Sequence, residues 1–179
     1  KKLMSSLAIK KESILGITLT TQRNTMISLD AKGKPLRPAF VWPDRRKADM
    51  EKWLPFYLRF PAKLLGLYDI AAYGLMECEA NWIYQNQRDI WEQTEKFLFL
   101  SGYLTYRLCG EFTDSTGNQV GFVPFDYKKQ EWASNSDFKW KIFHVDRRQL
   151  PRLVKPSEYL GYISKQASRE TGLPEGLPL

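Results

Sequence analysis

Residues 21–46 read TQRNTMISLDAKGKPLRPAFVWPDRR, and this stretch decides how the rest of the chain is read. Ile27 and Leu29 alternate with polar neighbours through Met26 to Asp30, the period of a half-buried strand. Ala31-Lys32-Gly33-Lys34-Pro35 carries turn chemistry, and Phe40-Val41-Trp42 is a short apolar run that Pro43 ends. Upstream, Ile17-Thr18-Leu19-Thr20-Thr21 alternates in the same way, so the spacing predicts a strand there too. Two polar corners flank these strands, Gln22-Arg23-Asn24 on one side and Trp42-Pro43-Asp44-Arg45-Arg46 on the other. Long polar side chains and a large aromatic at strand ends often line a pocket, and they are also how many loops meet water.

Outward from this stretch the grammar turns helical. Leu3, Met4, Leu7 and Ala8 share one face of a predicted N-terminal helix. Asp44 reads as an N-cap before a helix over residues 45–58, with Met50, Trp53, Leu54 and Tyr57 three or four apart and Pro55 forcing a kink or break. Helical stretches are predicted over 62–67, 77–87 and 90–100, the last with Ile90, Trp91, Thr94, Phe97 and Leu98 on one stripe. Residues 101–109 read as a further helical turn or two stopped by Gly110. Thr113-Asp114-Ser115-Thr116-Gly117-Asn118 is dense in short polar groups, either a capped helix start or a ligand loop. Phe122 to Phe125 is a brief apolar stretch and 137–144 a short helix. A turn at 146–151, a strand over 158–163 and a helix opened by Ser164 and ended by Gly172 complete an α/β chain with one core.

Composition narrows the classes. Over 179 residues, 43% hydrophobic and 26% charged side chains match a globular domain, and a 14% aromatic share with six Trp supplies bulky core filling. The net charge of +7 invites a nucleic-acid reading. Its distribution argues against one: Lys10-Lys11, Arg45-Arg46-Lys47, Lys128-Lys129 and Arg147-Arg148 are scattered, with Asp44, Asp49, Glu51 and Asp146 interleaved. Cys78 and Cys109 lack CxxC spacing and have only His144 as an imidazole neighbour in sequence, so we expect reduced core thiols, no zinc and a cytoplasmic protein. His144, without a sequence partner, reads as a packing residue rather than a base. No apolar run is long enough to cross a bilayer, and no signal peptide is read. The chain starts KKLMSS and ends GLPEGLPL, which reads as a segment excised from a longer protein.

The ordered motifs resemble a known family. Ile17 to Thr25, Leu29-Asp30 with Gly33-Lys34-Pro35-Leu36, and Phe40-Val41-Trp42-Pro43-Asp44-Arg45-Arg46 resemble the first-domain core of FGGY-family carbohydrate kinases. In that family a Gln-containing substrate corner precedes a Trp-x-Asp-x-Arg corner. The run from Phe97 to Glu111, followed by Thr113-Asp114-Ser115, is similar to the family's Tyr-Leu and Leu-Thr-Gly-Glu helix. Leu150-Pro151, Gly161, Ala167, Thr171-Gly172-Leu173-Pro174 and Gly176-Leu177-Pro178 match its later segments. The resemblance covers nearly the whole chain.

The resemblance implies an actin-like, ribonuclease-H-like first domain, here one partial domain over residues 1–179 with the first strand hairpin and the C-terminal nucleotide domain missing. It implies an ATP-dependent, Mg²⁺-assisted parent enzyme that phosphorylates a hydroxyl of a small sugar or polyol. The phosphate loop and the catalytic Asp would lie outside this chain, so the chain alone is expected to be inactive, to bind no cofactor itself, and to self-associate or lack stability. By matching positions, Gln22, Arg23 and Asn24 would meet sugar hydroxyls, and Trp42 would offer an apolar face to the sugar's carbons. Asp44 and Arg46 would orient the loop or reach the ligand indirectly, unless Asp44 is simply the helix cap. Ser115, with Asp114 and Asn118, would complete the pocket. Some polyol-specific members carry Glu and Tyr where this chain has Asn24 and Ser115, and ketose-specific ones often carry His at the Asn24 position, so the resemblance names no sugar. The alternatives are a non-catalytic sugar-binding or regulatory module and, more remotely, a basic nucleic-acid-binding protein.

Overall fold

Met26–Leu29 forms the first strand, β1, with all four residues buried, so both of its faces meet core. Strand β2, Lys96–Phe99, lies antiparallel beside it, Met26 opposite Phe99 and Leu29 opposite Lys96. On the other side Met26 and Phe40 exchange backbone hydrogen bonds of 3.2 and 3.1 Å, and the Leu36 N–H donates to Ser28 O at 2.9 Å. The intervening turn follows from its residues: Asp30 Oδ1 accepts from the N–H groups of Lys32 and Lys34 at 2.8 and 2.9 Å, and Gly33 takes a φ of 72°.

The computed structural model describes residues 4, 6, 10–49, 56–64, 66 and 68–179. The Leu3, Leu7 and Ala8 part of the expected N-terminal helix lies outside them, as do Met50, Trp53, Leu54 and Pro55. Helices α1 (Phe56–Leu64), α2 (Tyr68–Glu77), α3 (Glu79–Asn86) and α4 (Arg88–Gln93) lead to β2. Helix α5 (Leu100–Cys109) follows at once and stops at Gly110, whose φ is 83°. Strands β3 (Thr113–Ser115) and β6 (Arg152–Val154) pair in parallel. Between them β4 (Phe125–Asp126) and β5 (Glu131–Trp132) form a small hairpin, and α6 (Lys139–Ile142) is a single turn. Helix α7 (Lys165–Thr171) starts on Ser164, whose Oγ accepts from the Ala167 N–H, and ends at Gly172 with φ 86°.

Several expectations are corrected. Residues 90–100 are not one helix: α4 ends where Thr94 Oγ donates back to Ile90 O at 2.8 Å, and residues 96–99 are strand. Phe97 and Phe99 bury in one cluster with Met26 and Phe40, while Leu98 buries in another with Ile27 and Leu29. That is a period of two, selected by pairing with β1. Asp44 caps no helix over residues 45–49, which are irregular, because its carboxylate is taken by Arg46. Residues 17–21 form no ladder strand; Ile17 instead donates one backbone hydrogen bond to Pro178 O at 2.9 Å. The strand expected over 158–163 shrinks to a bridge between Tyr162 and Pro178. Helix α2, the β3–β6 pair and the β4–β5 hairpin were not anticipated.

One buried group ties the second sheet to α5. Asp114 is fully buried, and its carboxylate accepts from Ser101 Oγ at 2.8 Å, Asn118 Nδ2 at 2.9 Å, Gln119 Nε2 at 3.1 Å and the Ser115 N–H at 2.8 Å. Burial pushes this carboxyl above its usual range while the four donors pull it back. Helix α5 can lie this close because residue 102 is Gly: a Cβ there would sit 3.3 Å from Asp114 Oδ2.

Candidate functional site

The first corner stands immediately before β1, whose start is pinned where the Leu100 N–H donates to Thr25 O at 2.9 Å. Gln22 Nε2 donates to Thr25 Oγ1 at 2.7 Å. Arg23 is exposed and lies close enough to Tyr127 for its charge to oppose the upward push that burial exerts on that phenol. Asn24 holds a left-handed φ of 54°, a conformation Asn tolerates better than most residues. Its amide hydrogen-bonds Glu79, the first residue of α3, while its Oδ1 is buried with no partner among the described residues. Burial pushes the Glu79 carboxyl up to about 7; its own backbone N–H and Asn24 oppose that, and Glu77 and Asp44 add to it.

The second corner is built on Phe40. Its buried ring has the Arg37 guanidinium 4.0 Å and the Arg46 guanidinium 4.2 Å from its centroid, with Trp82 edge-on at 5.5 Å. Arg46 also stands 4.6 Å from the Trp82 ring. Asp44 grips Arg46, accepting from Nε at 2.8 and 3.1 Å and from Nη2. That fork holds the Asp44 carboxyl below its usual range and raises Arg46. Asp44 and Arg46 therefore brace the loop, and Trp42 projects from it, 71% exposed.

The structure brings Asn24 and Asp44 into one electrostatic group around Glu79, and Arg23 within electrostatic reach of Tyr127. Tyr127 also lines an apolar cleft of about 390 Å³ between α2 and residues 121–127, with Ile70, Tyr73 and Phe122. Ser115 belongs to a different hollow, of about 210 Å³, shared with Thr18, Asn118 and Lys155. His144 packs on Tyr84 at 3.6 Å between centroids, and burial lowers its pKa. The N-terminal-domain model of the FGGY family of carbohydrate kinases matches residues 1–179.

The chain belongs to the FGGY family. This FGGY domain is 34% identical to a glycerol kinase of Thermococcus onnurineus over 163 residues, covering 88% of the chain and 32% of that protein. It is 32% identical over 177 residues to an uncharacterized sugar kinase of Escherichia coli K12, covering 99% of the chain and 28% of that protein. Its fold matches a gluconate kinase structure from Lactobacillus acidophilus with a TM-score of 0.72 at 18% identity, over 99% of the chain and 35% of that protein. The chain thus spans about a third of the length of the relatives it matches.

Two residues at this site of the FGGY domain escape sequence reasoning, Glu79 and Tyr127. The only signal for Glu79 was an acid at the start of a helical run, which ordinarily means a helix-dipole contact. Its raised carboxyl has a sign that can be checked. Between pH 4.5 and about 7 the unfolded chain has lost the proton and the folded domain keeps it, so stability falls as pH rises through this window and is flat above it. Discounted for partial exposure, the loss is about 2 kcal/mol. Glu79→Gln should remove this slope, raising the urea midpoint at pH 8 and leaving it unchanged near pH 4; a gain that is equal at both pH values would contradict the assignment.

Proposed function

We propose that this FGGY domain is the acceptor-binding part of an ATP-dependent carbohydrate kinase acting on a small sugar or polyol in the cytoplasm. In-line phosphoryl transfer needs a held acceptor hydroxyl, neutralised phosphates and a base near the hydroxyl proton. The domain's residues suit the first task. The observation that carries this reading is Trp42, an exposed indole on the loop that leaves Phe40, whose backbone pairs with Met26, the first strand residue after the Gln22–Asn24 corner, and in that loop Asp44 and Arg46 are engaged with each other. An indole face covers sugar C–H groups while Arg23, Gln22 and Asn24 meet the hydroxyls.

Among the described residues no three acidic, His or Cys side chains gather as a nucleotide-bound Mg²⁺ would need: Asp114 already serves four donors, Asp44 faces Arg46, and Glu77 pairs with Lys47 at 2.5 Å. We assign ATP, Mg²⁺ and the base to the remainder of the kinase, so the isolated domain does not turn over. In the intact kinase, Arg23→Ala and Trp42→Ala should each raise KM for the acceptor by about 10–100-fold, the loss of one charged hydrogen bond or one stacked face. KM for ATP should stay within about twofold, since the nucleotide interactions are untouched. An unchanged acceptor KM, or a matching rise for ATP, would remove the acceptor-site reading.

A further inference from the structure

We propose that the apolar cleft between α2 and residues 121–127 is a binding site for a flat two-ring aromatic carboxylate, a ligand class unlike a sugar. Its floor is core: Val123, Phe125 and Phe143 are buried there. Its rim is open, since Ile70, Tyr73, Tyr127 and Phe138 stand half or more exposed around it. A hollow of about 390 Å³ floored by hydrocarbon has the size of a ligand pocket and gives water few hydrogen-bond partners. An apolar cavity of about 150 Å³ holds one benzene ring, so this one takes two rings and a substituent. Rings already meet along it, Tyr73 with Phe122 at 6.0 Å and Phe125 with Tyr127 at 5.1 Å between centroids. A flat aromatic body adds stacked and edge-on contacts to them.

Two glycines keep the cleft open with no conformational reason to be glycine. Gly74 lies inside α2, where glycine is unfavourable, and neither it nor Gly121 has a positive φ. A Cβ on Gly74 would rest against the Phe143 ring at 3.6 Å, and one on Gly121 would come no nearer than 4.0 Å to Tyr127 Oη. Packing demands neither glycine, and each bare position adds room to the hollow. The charge of the ligand follows from Lys139, the one charged residue of the lining among the described residues. Its Nζ donates to Phe125 O at 2.8 Å, which uses one of the three donors of an ammonium. The neighbouring acids are engaged by backbone: Asp126 accepts from the N–H groups of Lys128 and Lys129, and Asp137 from that of Lys139. A carboxylate at the rim therefore meets the ammonium as a charge-assisted pair, whereas a cationic ligand is repelled.

The test titrates the intact kinase by calorimetry with 2-naphthoate and with 2-naphthylmethylammonium, its opposite in charge. 2-Naphthoate should bind with a Kd of about 0.1–1 mM, the strength expected of so small a ligand, and the ammonium about tenfold more weakly. Lys139→Met keeps the apolar length of the side chain and should erase that preference. Gly74→Leu puts a side chain into the cleft from a helix that accepts leucine well, and should weaken 2-naphthoate about tenfold or more. If Gly74→Leu does not fold, Ala71→Leu on the same wall takes its place. A wild type that binds neither probe, or both equally, overturns the proposal, as does undiminished binding in a blocked variant that melts like the wild type. Dodecanoate bound more tightly than 2-naphthoate would make the cleft an acyl-chain groove and overturn the aromatic assignment. A wild-type oligomer that Gly74→Leu dissociates, with no probe bound, would make it an interface between copies of the chain and overturn the proposal as well.

Discussion

Asp114→Ala is expected to destabilise the domain by about 3–5 kcal/mol, enough to unfold it near room temperature. The carboxylate collects four donors in a fully buried site. Its removal strands Ser101 Oγ, the Ser115 N–H and two side-chain amides together, each costing about 1–3 kcal/mol if no water enters. Asp114→Asn is the sharper comparison. One amide oxygen can still accept, but the new NH₂ faces donors, so a smaller loss of about 1–3 kcal/mol is expected. Urea unfolding followed by tryptophan fluorescence ranks the three proteins. An alanine variant within about 1 kcal/mol of wild type would mean that the carboxylate is not the pin between α5 and β3.

Leu98→Ala carries the second largest effect, about 3 kcal/mol, within the usual range for a fully buried leucine. Leu98 is 0% exposed, sits opposite Ile27 and packs with Leu29. The vacated volume is walled by paired strands, which cannot collapse into it as a loop would. The β1–β2 pair also carries the Gln22–Asn24 corner, through the Leu100 N–H on Thr25 O. Amide exchange should therefore accelerate from Thr25 to Leu29 before it does in α7. Equal acceleration in both would mean that the pair is not a separate cooperative unit.

What sequence reasoning reached divides by distance along the chain. β1, the Asp30–Lys34 turn, the Ser164 cap, and the stops at Gly110 and Gly172 were legible, because each is decided by residues within a few positions of one another. β2 was not. Phe97-Leu98-Phe99 satisfies a helical stripe and a buried strand alike, and only the distant edge of β1 chooses between them. The Asp44 cap failed for a local reason that the pattern hides, since an Arg two residues on competes for the same oxygens that a cap would use. At the site, the family resemblance marked Gln22, Arg23, Asn24 and Trp42. Glu79 was invisible because its meeting with Asn24 exists only after folding.

The hydrogen bond from Ile17 to Pro178 has a consequence in time. The segment just ahead of the Gln22–Asn24 corner leans on residues at the far end of this stretch of chain, with Ile14 and Ile17 packing onto the Ile163, Ala167 and Leu177 cluster. A ribosome delivers the corner first and its support last. Until Leu177 and Pro178 emerge, that segment waits with bare apolar side chains, so closing it is a late, slow event of the kind that long-range contacts impose.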